Sequence, residues 1–337
     1  MKIIILGGTG VISRAIVREG IARGYEMTVV NRGTRTVDFG GTVETILADR
    51  KDRESFSERM RDVTADVVID MIAFDEADAA QTVEMFGGRV KQMIFTSSTA
   101  AYKKPYHSLP IREDAEVLCD SDEFPYGFKK ANLERYLQEQ MKKGETPITI
   151  IRPSLTFGEG CANIGVLRQN ANIVHRIRNG KPLVLPGDGT APWSFTFAPD
   201  LAKGYLLACQ NEATYNQAFH ITNTQLVLFE DLYRTIGKIL GIEPKFAYIP
   251  SEVLCQADPG LFAHFQYEKK YAHYFSVEKF QKAAPEYKPE MDLETGLRDI
   301  LNWWEAEGMP LDEEKDALED RICAVYEEFT QKMKEIF

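Results

Sequence analysis

The feature that most constrains the fold is the beginning of the chain, where an apolar run leads into a glycine-rich turn. Residues 3–6 are continuously apolar, as expected for a central strand of a parallel sheet covered by helices on both faces. A helical pattern over residues 11–23 follows directly. Glycines let a pyrophosphate approach the N–H groups at a helix start, where the helix dipole favours anions. The sequence therefore predicts dinucleotide binding at Gly7, Gly8, Thr9, Gly10, Val11 and Ile12.

Length, composition and net charge limit the size of the fold and the kinds of partner that are expected. The chain has 337 residues, 44% of them hydrophobic, so it exceeds one average domain and can bury a substantial core. A formal net charge of -11 gives no general attraction to nucleic acid or to anionic membranes. No run of about 18 apolar residues is present, and the N-terminus is itself the first core strand. We therefore expect a cytoplasmic protein with a small-molecule substrate and with neither a nucleic-acid nor a membrane partner.

The chain has five cysteines and five histidines, scattered without the spacing that is typical of metal ligands. An odd number of dispersed cysteines is typical of reduced thiols in a reducing compartment. We expect no structural metal.

Strand and helix patterns alternate through the first half of the chain. Strands are predicted at residues 27–30, 44–47, 67–69, 93–95 and 148–151, with helices at 11–23, 52–61, 75–86 and 126–142. This order predicts an α/β fold with a doubly wound parallel (Rossmann) sheet. Ligands of such sheets bind beyond the carboxyl ends of the strands. Further cofactor contacts are therefore predicted at Asn31, Arg32, Asp49, Arg50, Met71, Ile72 and Pro153.

The second half has a different pattern and predicts a second, smaller substrate lobe. We expect residues 1–155 to form the dinucleotide-binding domain, with 191–222 returning to it, and 156–311 to form the second lobe. Helices are predicted at 164–179, 200–209, 222–241 and 293–305, and a strand at 218–221. Residues 312–337 form an amphipathic helix with a stripe of six apolar side chains. We expect the stripe to pack within the chain, with a homodimer contact as the alternative.

Candidate catalytic residues follow the fifth strand. Tyr126 and Lys130 are four residues apart, so both face the same side of a helix, and Tyr126 is the only tyrosine with a lysine at this distance. A tyrosine needs a lowered pKa to act as a base near pH 7, and a nearby ammonium group can lower it. Ser98 and Thr99 are positioned to contact the substrate, with Ser98 donating to its oxygen. The alternative for Ser98 is a strand-end turn in which it bonds its own backbone.

These motifs together resemble the extended short-chain dehydrogenase/reductases, the NAD-dependent epimerase/dehydratase family. The resemblance rests on the turn at 7–10, the segment 95–102, Tyr126 with Lys130, Arg152-Pro153, Phe157-Gly158 and the segments 187–190, 195–202 and 293–303. It covers about residues 1–305. It implies a Ser98/Tyr126/Lys130 catalytic triad, a tightly held nicotinamide cofactor and a role for Lys130 in binding the cofactor ribose.

The sequence departs from the family pattern at several positions. Ser13 replaces the third glycine of the turn, and Ser98 is followed by Thr99-Ala100 rather than the Asp-Glu pair of dehydratases. Dehydration is therefore disfavoured. Trp193 lies where many nucleotide-sugar enzymes carry an arginine, which favours a less charged sugar-like substrate unless another arginine compensates. The candidates for that compensation are Arg168, Arg176 and Arg178.

The end of the second strand bears on the choice of cofactor. Asn31-Arg32 replaces the acidic residue that binds the adenosine ribose of NAD. An arginine can pair with the 2′-phosphate of NADP, so NADP is favoured over NAD, unless Arg32 is only a solvated turn residue.

The function predicted from the sequence is that of an NAD(P)-dependent epimerase or reductase that acts on a sugar or nucleotide-sugar-like hydroxyl or carbonyl. The Asn-Arg-Gly ending also resembles atypical members such as the chloroplast stem-loop RNA-binding proteins. The alternative is therefore a non-catalytic NAD(P)-binding protein that regulates a partner or binds RNA. The acidic composition argues against RNA binding.

Overall fold

The computed structural model describes residues 1–161, 164–167 and 171–337. Its strands are β1 (Lys2–Leu6), β2 (Glu26–Asn31), β3 (Glu44–Leu47), β4 (Val67–Asp70), β5 (Gln92–Thr96), β6 (Ile148–Arg152), β7 (Leu155–Phe157), β8 (Pro182–Pro186), β9 (Pro192–Trp193), β10 (Phe195–Phe197), β11 (Gln217–His220), β12 (Val227–Leu228) and β13 (Lys245–Ile249). Its α-helices are α1 (Val11–Ala22), α2 (Arg53–Met60), α3 (Glu76–Phe86), α4 (Pro125–Lys143), α5 (Asn172–Arg178), α6 (Ala198–Ala208), α7 (Phe229–Leu240), α8 (Ser251–Ala257), α9 (Glu278–Ala283), α10 (Leu293–Ala306) and α11 (Glu313–Lys334). Short 3₁₀ helices span Thr99–Ala101 and Glu212–Thr214, and a π-helix spans Phe265–Lys269.

Seven parallel strands form the central sheet in the order β11-β6-β5-β4-β1-β2-β3. The order reverses between β1 and β4, as in a doubly wound sheet, so the predicted α/β Rossmann fold is confirmed. The carboxyl ends of β1, β2, β4 and β5 lie at the same edge, which is where the predicted cofactor residues are.

Successive residues of β1 face opposite sides of the sheet, and both sides are covered by helices. Ile3 and Ile5 pack with apolar residues of α1 and α6. Ile4 and Leu6 pack with apolar residues of α2, α3 and α4. Burial on both faces explains why the strand is continuously apolar rather than alternating.

The chain divides into two compact units. The first consists of Met1–Thr156, Thr196–Thr224 and Phe275–Glu290, and the second of Phe157–Phe195, Gln225–Tyr274 and Met291–Phe337. The sequence assigned residues 275–290 to the second lobe, whereas they group with the sheet. That the second unit binds the substrate stays a prediction.

Two predicted helices are shorter than expected. Of the helix predicted at 164–179, residues 164–167 are not helical although Ile164, Val166 and Leu167 are buried, residues 168–170 lie outside the described residues, and α5 spans Asn172–Arg178. The helix predicted at 222–241 begins at Phe229, after β12 has paired with β9. The parallel pair β8 and β13, which was not predicted from the sequence, aligns Pro182 with Lys245 and Pro186 with Ile249.

The expected intrachain packing of the apolar stripe on α11 is wrong for its second half. Val325, Phe329, Met333 and Ile336 are exposed, and the buried side chains of the helix are Glu319 and Cys323. In the described ranges, no helix is long and apolar enough to cross a membrane. A cytoplasmic location stays a prediction.

Candidate functional site

The glycine turn after β1 is shaped by close contacts that exclude side chains. Gly7 has a φ of +92°, and a Cβ on it would lie 2.3 Å from Cγ2 of Ile72. A Cβ on Gly8 would lie 2.4 Å from Cγ1 of Val29. Both positions therefore require glycine, so that the backbone can turn directly from the strand into α1.

The start of α1 fits an anionic group. Ser13, which replaces the third glycine, accepts a hydrogen bond from the Gly10 N–H at 2.8 Å and donates to the Gly10 carbonyl at 3.2 Å. No side chain caps α1, and its first turn contains no acidic residue. The positive end of the helix dipole therefore faces the turn without a competing carboxylate, as a pyrophosphate requires.

The end of β2 forms a tight turn with exposed arginines. The side-chain oxygen of Asn31 accepts a hydrogen bond from the Gly33 N–H at 2.7 Å, so this amide holds the turn. Arg32 and Arg35 are both exposed beyond it. The sequence analysis did not single out Arg35, which adds a second positive charge near Arg32.

Arg50, for which a cofactor contact stays a prediction, is engaged inside the protein. Its guanidinium is buried and forms two hydrogen bonds of 3.1 and 2.8 Å with the Asp70 carboxylate. Asp70 in turn accepts hydrogen bonds from the backbone N–H groups of Ile72 (3.0 Å) and Ala73 (2.8 Å). Arg50 thus supports the loop after β4 from within the protein. Asp49, by contrast, is exposed and bonds the Lys51 N–H at 3.0 Å.

Lys130 lies between the carboxyl ends of β4 and β5. Its Nζ donates to the carbonyls of Ala73 (2.7 Å) and Thr96 (2.8 Å), and its side chain is almost completely buried. Burial lowers the pKa of Lys130 to about 8. The ammonium also lies 5.0 Å from the ring centroid of Phe74, which is itself half exposed. Lys130 therefore holds a charge close to the loop that contains Met71 and Ile72.

Tyr126 is in the first turn of α4, and 41% of its surface is exposed. The next residue, Gly127, lies so close to the 3₁₀ helix that a Cβ on it would be 2.6 Å from the Ala100 carbonyl oxygen. This close approach brings the start of α4 against the segment that follows Ser98.

Ser98 caps the 3₁₀ helix, and its Oγ accepts a hydrogen bond from the Ala100 N–H at 3.1 Å. The bond is the backbone interaction that the sequence analysis gave as the alternative role of Ser98. The hydroxyl can still donate its proton to a substrate oxygen while it accepts this bond. Thr99 is buried, and its N–H donates to the carbonyl of Pro153 at 3.1 Å, which joins the ends of β5 and β6.

A buried ionic network that the sequence analysis missed lies behind these residues. Arg152 donates through Nε to the Glu134 carboxylate at 2.9 and 3.1 Å, and both side chains are buried. Ser97 donates to the same carboxylate at 2.5 Å. Glu134 therefore ties α4 to the ends of β5 and β6. The signal in the sequence is the spacing, because Tyr126, Lys130 and Glu134 recur every four residues along the helix.

The network continues through Tyr102 to His220. Arg152 donates to the Tyr102 hydroxyl at 2.7 Å, and that hydroxyl lies 2.6 Å from Nε2 of His220. Nδ1 of His220 is 3.1 Å from the Ser276 carbonyl, which can only accept. The proton of His220 is therefore on Nδ1, and Nε2 accepts from Tyr102. Burial and the charge of Arg152 lower the pKa of His220 well below its usual value, so the ring is neutral.

Of the predicted substrate residues, Ser98, Thr99 and Tyr126 lie in the first unit, whereas Trp193 and the candidate arginines Arg176 and Arg178 lie in the second. Trp193 is 3% exposed, and its ring stacks on His273 at 4.3 Å between centroids. Arg176 is completely buried among Asp316, Glu319 and Asp320, at 2.7, 3.3 and 2.9 Å. Arg178 is exposed and pairs with Glu305 at 3.4 Å. Arg168 lies outside the described residues.

The first unit thus brings together the glycine turn, the loop after β4, Lys130 and the segment around Ser98. In the second unit, Trp193 and Arg176 are integrated into packing and ion pairs, so neither presents a free face or charge there. Among the residues that the structure describes, no group of three or more His, Cys, Asp or Glu side chains is arranged so that it could hold a metal ion.

Comparison with known proteins places these features in context. Residues 3–221 match the NAD dependent epimerase/dehydratase family. The chain is 26% identical over 317 residues to the chloroplast stem-loop binding protein of 41 kDa b of Arabidopsis thaliana, covering 89% of this chain and 78% of that protein. It is 23% identical to the 2′-dehydrokanamycin reductase of Streptomyces kanamyceticus, covering 75% and 70%. Its fold is similar to that of the UDP-glucuronic acid 4-epimerase from Bacillus cereus in complex with NAD (TM-score 0.71, 17% identity, coverage 93% of this chain and 99% of that chain).

Proposed function

Since the chain belongs to the NAD dependent epimerase/dehydratase family and is an NAD(P)-dependent enzyme, we propose that it oxidises or reduces a hydroxyl or carbonyl of a sugar-like substrate. The proposal covers both an epimerase and a reductase. The observation that supports it most directly is the position of Lys130, a buried ammonium between the ends of β4 and β5. A charge in this position is costly to bury, and it suits a site in which a nearby hydroxyl must lose a proton.

Several residues are suited to hold the dinucleotide. The start of α1 would bind the pyrophosphate, and the loop of Met71 and Ile72, held by Asp70, would contact the adenosine half. Thr9 and the backbone of Gly10 complete the turn. When bound, the nicotinamide supplies hydride donation and acceptance.

The chain's own residues would then move the proton. Tyr126 takes the proton from the substrate hydroxyl or returns it, and its partial exposure leaves the phenol accessible. Lys130, one helical turn away, stabilises the phenolate through its charge. Ser98 donates its hydroxyl proton to the substrate oxygen as charge develops there.

The test of this assignment is Tyr126→Phe. We expect turnover to fall about 10² to 10⁴-fold, with cofactor affinity close to that of the wild type, because only the acid/base hydroxyl is lost. The matched control is Tyr136→Phe on the same helix, which should leave turnover unchanged. Unchanged turnover in Tyr126→Phe would disprove the triad.

Lys130→Met separates the two roles of the lysine. We expect a loss of turnover together with weaker cofactor binding, because the ammonium both stabilises the phenolate and lies beside the cofactor loop. Lys129→Met, at the exposed neighbouring position, is the control. Lost turnover with unaltered cofactor affinity would argue against the cofactor role.

We propose NADP as the preferred cofactor. The exposed Arg32, with Arg35 nearby, can pair with a 2′-phosphate, and the described side chains at the end of β2 include no carboxylate to accept ribose hydroxyls. Arg32→Ala should weaken NADP binding by about 1.5 to 3 kcal/mol, roughly tenfold or more, with little effect on NAD. Equal small losses for both cofactors, as expected for the control Arg59→Ala on α2, would show that Arg32 does not contact the phosphate.

For the substrate, we propose a sugar or polyol without a diphosphate. The charge of Arg176 is neutralised by three carboxylates, so this arginine is not available to a phosphate. Calorimetry with UDP, UDP-glucose and unphosphorylated sugars tests the proposal. Micromolar binding of UDP-glucose that disappears in Arg168→Ala would overturn it and favour a nucleotide-sugar substrate.

The second candidate is a non-catalytic RNA-binding role, favoured only by the similarity to the chloroplast stem-loop binding protein. A net charge of -11 disfavours it, because RNA binding gains most of its affinity from phosphate contacts. Stem-loop RNA binding at 150 mM salt, together with no turnover on any sugar, would decide for this role.

We also propose that the chain forms a homodimer.

A further inference from the structure

Asp70, the last residue of β4, is a completely buried carboxylate that several groups bind at once. The Arg50 guanidinium donates to its two oxygens at 3.1 and 2.8 Å, and the Thr82 hydroxyl donates to Oδ2 at 2.6 Å. The backbone N–H groups of Ile72 and Ala73 donate to its Oδ1 at 3.0 and 2.8 Å. A carboxylate held in this way permits one path for the backbone that follows it. Asp70 therefore fixes the loop of residues 71–74.

The same loop binds the ammonium of Lys130. The Ala73 N–H donates to Asp70, and the carbonyl of Ala73 accepts from Nζ of Lys130 at 2.7 Å. The second acceptor is the Thr96 carbonyl at 2.8 Å, at the end of β5, the strand that pairs with β4. Phe74, the next residue of the loop, places its ring centroid 5.0 Å from Nζ. Asp70 thus reaches the ammonium through a single intervening residue.

The charges that act on Lys130 come from several elements. Burial lowers the pKa of Lys130 to about 8. Asp70 opposes this effect most strongly, followed by Glu134 on α4 and Asp78 on α3. Arg50, which precedes α2, acts in the same direction as burial. Asp70 is therefore the main countercharge of the ammonium as well as the support of the loop that binds it.

We propose that Asp70 is the positioning residue of Lys130, which holds the Ala73 carbonyl against the ammonium and keeps that group charged beside Tyr126. The importance of this role for turnover rests on the proposed function, in which Lys130 stabilises the phenolate of Tyr126. Asp70 acts through the loop and through its charge. Arg50 limits the effect, because it shares the same carboxylate.

Nuclear magnetic resonance of the full chain, labelled with carbon-13 at the lysine Cε atoms, measures the protonation of Lys130 without any need for activity. Lys130→Met identifies the signal. Asp70→Asn should lower the pKa of Lys130 by about one unit, because it removes a nearby opposite charge. A merely structural loss would loosen the loop, admit water and move this pKa in the other direction, towards its ordinary value near 10.5.

Two further variants complete the titration. Arg50→Met removes the cation that shares the carboxylate, so the pKa of Lys130 should rise. Glu76→Gln is the matched control, since it removes a carboxylate from an exposed position in the first turn of α3 and should leave the Lys130 titration unchanged.

The double variant Arg50→Met, Asp70→Asn keeps the test decisive if Asp70→Asn alone does not fold. Replacing both members of a buried ion pair with neutral groups is often tolerated, whereas removing one of them strands the other. Because Asp70 acts on Lys130 more strongly than Arg50 does, the pKa of Lys130 should fall in the double variant too. A Lys130 pKa that is unchanged or raised in Asp70→Asn, or in the double variant where the single variant is unfolded, would overturn the inference.

The pH dependence of kcat connects this inference with the proposed reaction. Lys130 loses its charge as the pH rises through its pKa, so turnover should fall on the alkaline side. In Asp70→Asn this fall should move to lower pH by the same amount as the Lys130 titration. An alkaline limb that does not follow the titration would count against the proposed function, whereas the titration alone decides whether Asp70 controls Lys130.

Discussion

A buried arginine holds a long helix in each unit, but the two arrangements differ in exposure. In the first unit, Arg152 pairs with Glu134 of α4, and both side chains are excluded from solvent. In the second, Arg176 pairs with three carboxylates of α11, of which Glu319 is buried while Asp316 and Asp320 are 18% and 45% exposed. Lys181 contacts the same two aspartates from the solvent side, at 2.7 Å each.

The difference shows what each anchor is suited to do. A closed network in a low dielectric permits one geometry only, which suits the helix that carries Tyr126 and Lys130. A partly exposed cluster tolerates rearrangement, since water and Lys181 can compensate for a lost bond. It is sufficient to attach α11 while leaving the outer face of that helix free.

The largest effect is expected from Glu134→Gln, which leaves the Arg152 charge buried without its counterion. Breaking a buried pair in this way costs about 3 to 5 kcal/mol. Urea unfolding should measure the loss, and turnover should fall because the start of α4 is no longer fixed. Glu139→Gln on the exposed side of the same helix is the control. A loss below about 1 kcal/mol would show that the network is not an anchor.

Arg176→Met should have a smaller effect, about 2 kcal/mol, although Arg176 is also completely buried. It removes the cation from the buried Glu319, but that carboxylate keeps the Val184 N–H as a donor at 2.8 Å, and Asp316 and Asp320 keep Lys181 and solvent. The lower free energy of unfolding should appear in the unfolding of the second unit, and cofactor binding should be unchanged. A loss equal to that of Glu134→Gln would remove the distinction between closed and open clusters.

The fold was largely predictable from the sequence because its signals are local. The continuous apolar run of β1, the glycine turn and the first helix follow one another within 22 residues. The pair β8 and β13 was missed because its strands are short, proline-flanked and far apart in sequence, so only their pairing defines them. The early part of the 164–179 helix failed for a related reason, since burial of Ile164 and Val166 does not require a helix.

A candidate site could be proposed from the sequence where residue type and spacing alone carry the chemistry. Tyr126 and Lys130 were singled out by their spacing, and Gly7 and Gly8 by their position after β1, and their roles stay predictions. The pairing of Arg50 with Asp70 could not be predicted, because Asp70 lies 20 residues away and only the structure brings the two together. The role of Glu134 was missed for the same reason, because Glu134 is on α4 and its partner Arg152 is on β6. For α11 the pattern predicted an apolar face but could not indicate what covers it.

A pH titration sharpens the comparison, because the first network contains His220. Burial keeps this ring neutral in the native state, whereas in the unfolded chain it takes up a proton as the pH falls through about 6.5. Stability should therefore be lost below pH 6.5, by up to about 1.4 kcal/mol per pH unit until the native pKa is reached. Glu113, whose pKa is raised by burial, opposes part of this trend.

His220→Gln isolates the histidine contribution. The variant should lose less stability than the wild type between pH 6.5 and 5.5 in urea titrations, whatever its stability at pH 7. Arg176→Met should keep the histidine part of the wild-type pH dependence, because none of the described residues that pair with Arg176 is a histidine. Parallel pH profiles for the wild type and His220→Gln would contradict the neutral, buried assignment.

The smallest effect is expected from Lys181→Met, which tests the open side of the second cluster. Lys181 is about one-third exposed, so its two ion pairs are screened by solvent and should contribute at most about 1 kcal/mol. The loss should shrink further in 1 M salt, where the Debye length falls to about 3 Å, whereas the loss from Glu134→Gln should change little because that pair is shielded from ions. In the Arg176→Met background, Lys181 is the one cation among the described residues for which an ion pair with Asp316 and Asp320 is observed, so its removal there should cost more stability than in the wild type. Strict additivity of the two substitutions would mean that the arginine and the lysine act independently and do not form one cluster.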